Sequence, residues 1–209
     1  MRKRKRAGNI LLALLVITGF AGTPFDASLT KKERKFIVQH LKETKTDFLK
    51  SVKNLSEAQL NFKAAPDKWS VKECTQHLAL AEAGLWQWVE MTLKQPANPE
   101  KKAEIKMKDD DMLKGVAGRE QKVQATENLQ PKNAKWTTIQ ETLNAYKEQR
   151  AKLIGYIKNT TEDMRGHIAT ETPFGPIDSY QIVLLISAHT TRHTQQINEV
   201  KANPDFPKN

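Results

Sequence analysis

Four stretches of the chain repeat apolar residues at the three-and-four spacing of an amphipathic helix. In the last, Gln181 to Lys201, the residues Ile182, Leu185, Ile186, Ile197 and Val200 fall within about 60° of one line along the helix. Asp178 is placed to cap it. The first helix is predicted from a Ser28 or Thr30 cap to about Lys53, with Phe36, Ile37, Leu41, Phe48, Leu49 and Val52 as its buried stripe. The second opens on a capping box, Ser70 with Glu73, and ends before Pro96. Its stripe is Val71, Cys74, Leu78, Ala81, Leu85, Trp88 and Val89. A further capping box, Thr138 with Glu141, opens the third helix, which runs to about Lys158. Ile139, Leu143, Tyr146, Leu153, Ile154 and Ile157 form its core face, with Arg150 between them.

Four such helices of about 20 residues, with no alternating strand pattern, predict an all-α protein built as a four-helix bundle over residues 28–203. Connectors of about 15 and 40 residues are long enough for crossovers, so helix count leaves the packing order open. Residues 54–69 read as a connector with a turn at Pro66-Asp67. The long polar stretch from Gln95 to Lys135 contains Pro96, Pro99, Gly115, Gly118 and Pro131, and a short helix is expected around Asp109 to Leu113. It reads as an insertion between the second and third helices, acting as a lid, a substrate-facing loop or passive decoration. Asp109, Asp110 and Asp111 lack the glycine and distal glutamate of a calcium loop and read as a solvated helix start. A third connector, 160–177, carries His167, Pro173, Gly175 and Pro176, and the tail 204–209 is expected to fray.

Composition changes this picture at one end only. Of 34 basic residues, five lie in Arg2 to Arg6, which leaves 29 against 24 acidic residues in the remainder. That remainder has no basic block interleaved with aromatics, so no nucleic-acid partner is expected. Arg2 to Arg6, the apolar run Ile10 to Ala21 and the turn residues Gly22, Thr23 and Pro24 have the layout of a signal peptide within residues 1–27. Cleavage after Ala21 would use Gly19 and Ala21 as the small residues, and a retained N-terminal membrane anchor is the alternative. The run is too short for a comfortable span at about 20 residues, so the mature protein is read as exported, periplasmic or secreted, without a stable membrane span. Cys74 is the one cysteine, which excludes an intrachain disulfide, and its place on an apolar stripe reads as core.

Candidate chemistry lies in the histidines. His189 and His193 stand four residues apart, in the middle of the apolar line of the last helix. Stacked on adjacent turns, they can chelate one ion, and a metal supplies the partner that buried imidazoles need. His77, on the edge of the second stripe, joins them if those two helices are neighbours. Three neutral imidazoles with open positions are a catalytic type of metal site. HTTRH has no glutamate between its histidines, which argues against a zincin peptidase. Hydrogen-bonded packing is the competing reading for each of the three. His40 beside Leu41 reads as a core or solvent-edge histidine, and Glu73 as a cap partner rather than an acceptor for His77. Arg192, about 100° off the histidine line, is placed either to orient a ligand or to be solvated, and reads as solvated.

The stretch KWSVKECTQHLALAE, followed much later by FGPIDSYQIVLLISAHTTRHTQQI, resembles the DinB-like superfamily. The resemblance rests on Trp69-Ser70 opening a helix, His77-Leu78 within it, the Gly175 turn, and His189-x-x-x-His193 followed by Gln196-Ile197. It covers about Lys31 to Val200 and implies an up-up-down-down bundle, frequently a homodimer, with His77, His189 and His193 as ligands of a divalent metal. Branches of that family include thiol-dependent transferases and isomerases that use bacillithiol, mycothiol or glutathione.

The readings that follow are an exported metal-dependent hydrolase or thiol transferase acting on a small molecule, or a non-catalytic bundle that binds metal or ligand and works through protein interaction. Trp86 and Trp88 are interface candidates in the second case. A damage-response role on nucleic acid is suggested only by the family's name, and the signal peptide argues against it. Three imidazoles suit zinc or nickel, ahead of iron, manganese or copper, and the sequence assigns no catalytic residue beyond the ligands.

Overall fold

Each long helix begins where a side chain can take up the free amide groups of its first turn. A computed structural model describes residues 28–120 and 124–208, so the segment read as a signal peptide lies outside the described residues. Helix α1 (Lys31–Ser51) is capped by Thr30, and a five-residue α2 (Glu57–Asn61), capped by Ser56, follows inside the first connector. Helix α3 (Val71–Lys94) starts on the Ser70–Glu73 box, with α4 (Asp109–Ala117) in the long link behind it. Helix α5 (Ile139–Asn159) starts on the Thr138–Glu141 box, and α6 (Ser179–Lys201) on Asp178 with Gln181. Two-residue strands β1 (Ile168–Ala169) and β2 (Ile177–Asp178) pair antiparallel just before α6, which the helical periodicity did not reveal. Among the described residues no helix is long and apolar enough to cross a membrane.

α1, α3, α5 and α6 form the expected four-helix bundle, in which α1 and α3 each pack on both α5 and α6. Tyr180 Oη donates to Glu33 O at one end and Lys201 Nζ to Ser51 O at the other, so α1 and α6 run parallel. Gln76 bonds to Trp136 O and Trp86 stacks edge-on against Tyr156, so α3 and α5 also run parallel. Arg34 bonds to Ile157 O and Phe48 packs on Tyr146, which sets α1 antiparallel to α5. Around the ring α1, α6, α3, α5 the directions are up, up, down, down. Along the chain they are up, down, down, up, because the parallel partners are not consecutive helices. The link from α3 to parallel α5 must return along the bundle, roughly 36 Å for a 24-residue helix. Residues 95–138 make that return, which accounts for their length.

Within this link α4 packs along α6 and buries Met112 completely. Residues Ile182 to Ile186 are consequently buried on all sides, flanked by α1, α3 and α4. Asp109, expected to be solvated, instead bonds to Arg165 and Gln181, while Asp110 and Asp111 are exposed as expected. Arg165 also pairs with Glu33 and Asp178 and lies over the Tyr180 ring, fastening the starts of α1, α4 and α6 together. Phe36, expected in the α1 stripe, is 45% exposed. The tail docks rather than frays: Phe206 packs edge-on against Phe62, and Gln59 bonds to Pro207 O.

One buried charge crosses the core. Arg150 on α5 is fully buried and uses all five of its N–H donors: two on Glu82 of α3, two on Leu41 O and Thr44 of α1, and one on Thr190 of α6. Burial opposes its charge, but Glu82 outweighs that and holds it protonated. A guanidinium bound to all four helices fixes their relative rotation about the core.

Candidate metal centre

The antiparallel contact of α3 with α6 brings the start of one helix beside the end of the other. His77, in the second turn of α3, therefore meets His189 and His193, which lie on successive turns of α6. His189 Nε2 is 3.2 Å from His77 Nε2 and 3.1 Å from His193 Nε2. One ligand atom from each residue lies within 4.8 Å of the others, and these three form a group among the described residues that could hold a metal ion. The sequence-predicted ligands are thus brought together. His40 and His167 are not part of the group: His40 Nδ1 is 2.6 Å from Ser187 Oγ, in a half-buried setting within the bundle.

The outer ring nitrogens determine what the inner ones can do. His77 Nδ1 is 2.8 Å from Leu129 O, a carbonyl that can only accept, so the proton sits on Nδ1 and the Nε2 lone pair points inward. His193 Nδ1 donates in the same way to Gln196 Oε1 at 2.8 Å, one turn along α6. Burial lowers the pKa of His77, lowers that of His193 well below its ordinary value, and takes His189 down to about 3, so all three are neutral at pH 7. Neutral lone pairs converging at 3.1 and 3.2 Å repel unless a proton or cation lies between them. Nitrogens bound tetrahedrally at 2.0–2.1 Å stand about 3.3 Å apart, so this donor set fits a divalent ion.

Trp69, immediately before the α3 cap, covers one side: its ring is 4.8 Å from His77 and 6.1 Å from His193, centroid to centroid. His77 and His193 are buried and His189 is partly exposed. Glu73 is the cap partner and not an acceptor for His77, since its carboxylate bonds to Ser70 N and Lys63. Cys74 is fully buried, and burial pushes its thiol up to about 12, which removes it as a nucleophile near neutral pH. Arg192 is 8% exposed, not solvated as expected from its angle, because the end of the α4 segment lies against this side of α6. Leu129 O left no trace in the sequence, since any residue offers a carbonyl. Gln196 did: an amide three residues after a candidate ligand is placed to hold its ring.

A sequence model of the DinB superfamily matches residues 40–197. The fold is similar to that of YfiT from Bacillus subtilis, described as "a probable metal-dependent hydrolase with an unusual four-helix bundle topology". The two are 15% identical with a TM-score of 0.57, over 83% of this chain and 89% of that one. No curated protein matches the chain.

Proposed function

This chain belongs to the DinB superfamily, and from that premise we propose that it is a metal-dependent hydrolase whose divalent ion is held by His77, His189 and His193. The observation that carries this reading is the convergence of three neutral Nε2 atoms, two of them with the opposite nitrogen already committed to an acceptor. Three protein ligands leave coordination positions open, as a catalytic site requires, whereas a structural zinc site is closed by a fourth. An ion bound there supplies Lewis acidity at neutral pH.

The chain's own residues hold and shield. Leu129 O and Gln196 fix the tautomer and the plane of two rings, and Trp69 keeps water from one side. His189, the partly exposed ligand, marks the side from which a substrate enters. We further propose that the protein is exported through its N-terminal segment and acts there as a homodimer.

The test is a screen of chromogenic esters and amides, with a thiol-transfer panel beside it, on ion-loaded and chelator-stripped protein. Ester or amide cleavage that disappears on stripping and returns on reloading supports a hydrolase. Activity confined to the thiol-transfer panel contradicts it in favour of a transferase. Activity unaffected by stripping contradicts the metal-dependent reading.

A further inference from the structure

The charges of α1 are sorted by side. At about 100° per residue, its six lysines, Lys31, Lys32, Lys35, Lys42, Lys45 and Lys50, fall within about 140° of arc. Its three acids, Glu33, Glu43 and Asp47, fall within about 80° on the flank where His40 meets Ser187 of α6. The lysine arc takes in the outward surface and turns towards the opposite flank, from which Arg34 reaches Ile157 O of α5. On α5, Tyr156 stacks on Trp86 of α3, so the other flank faces α1. Lys147 and Lys158 lie on that flank, about 160 to 180° round from Tyr156. Glu148, the acid beside them, is turned outward and pairs with Lys152. Among the described residues none of these eight lysines is paired with a carboxylate.

The result is a strip about 30 Å long and two helices wide, with like charges and no acid within it. Lys45 and Lys147 are half-buried and the other six lysines are exposed. In the ring α1, α6, α3, α5, the strip lies opposite the α3–α6 contact that carries the three histidines. The link with α4 packs on α6 and α3, and so leaves this side of the bundle open. Unopposed like charges repel one another, and an anionic surface laid along them removes that repulsion.

The residue types narrow the partner. Lysine offers a hydrated point charge, without the planar fork that arginine brings to a single phosphate. No exposed aromatic ring lies within the strip for a base to stack on, since the exposed Phe36 is beyond the lysine arc. A plane of acidic headgroups asks for neither fork nor ring, only for clustered cations. In the sequence α1 begins shortly after the apolar run that ends at Ala21, the segment read as directing the chain to a membrane. We propose that the α1–α5 face docks on a bilayer surface bearing anionic phospholipid headgroups, with the three-histidine group turned away from it. The choice of a membrane over nucleic acid rests on the export reading; the sorting of charge is independent of the metal.

The test is sedimentation of the full chain with phosphatidylcholine vesicles, with and without about one third phosphatidylglycerol. The apolar run at residues 10–21 is common to every protein compared, so the difference between vesicles is what is read. Acidic vesicles should bind more tightly, and the gain should shrink as salt rises. Lys35→Gln/Lys42→Gln/Lys158→Gln should remove most of the gain, at about fivefold for each lysine. Lys102→Gln/Lys106→Gln/Lys114→Gln makes the same change of charge at exposed lysines of the link and α4, and should keep the gain. Equal binding to the two vesicles, or equal loss in the two variants, overturns the proposal. A DNA duplex that binds more tightly than acidic vesicles at equal phosphate, and is lost in the first variant, assigns the face to nucleic acid and overturns it too. Vesicle binding is read on purified protein, so its failure is separate from a failure of export or of metal binding.

Discussion

The backbone carbonyl of Leu129 accepts a hydrogen bond from His77 Nδ1 at 2.8 Å, across 52 residues of chain. The link that returns from α3 to α5 thus reaches the three-histidine group through its main chain. Leu129→Gly keeps the carbonyl and frees the turn that aims it. Metal affinity should fall about tenfold, measured by competition with a chromophoric chelator, while the thermal midpoint of the metal-free protein changes little. Unchanged affinity would mean that this contact does not orient His77.

Gln196 does for His193 what Leu129 does for His77. Gln196→Leu should also cost about tenfold in metal affinity, whereas Gln196→Glu, which retains an acceptor for the ring N–H, should preserve it. Equal loss in both variants would reduce Gln196 to a packing residue.

Much of this was legible in the chain. Capping boxes at Ser70 and Thr138 located two helix starts within a residue, because the box is a local device. His189 and His193 were readable as a pair because helical spacing alone places them on one face. What escaped depended on distant partners. Arg150 appeared as an interruption of a stripe, and only packing brings Glu82 to it across 68 residues. Asp109 and Arg192 carry the residue types of a wet surface and are drawn in by Arg165 and by the α4 segment. The direction of α5 was hidden too, since helix periodicity carries no sign.

Removing one partner of the Arg150–Glu82 pair leaves a buried charge uncompensated. Arg150→Met or Glu82→Gln should each destabilise the fold by about 3 to 5 kcal/mol in urea unfolding. The double variant Arg150→Met/Glu82→Met should be less destabilised than the sum of its single substitutions, since neither side is then left charged and alone. Additive losses would show that the two residues act independently.

The metal-free protein should be acid-sensitive through its imidazoles. His77, His189 and His193 all have folded pKa values below the ordinary 6.5, with His189 down to about 3, and burial is the first cause in each. The unfolded chain therefore binds protons at these positions where the folded chain does not. Their stabilisation is complete above about pH 6.5 and falls progressively towards pH 3. The urea midpoint of stripped protein should drop between pH 7.5 and pH 5, and by less in a folded His189→Leu/His193→Leu variant. An identical drop in both proteins would assign the effect to other groups.

The most direct measurement is metal content by elemental mass spectrometry on protein purified without a histidine tag, set against a folded His189→Ala/His193→Ala variant. The account predicts about one divalent ion per chain in the natural protein and none in the variant. No ion after incubation with zinc and nickel, or the same content in both proteins, would contradict it.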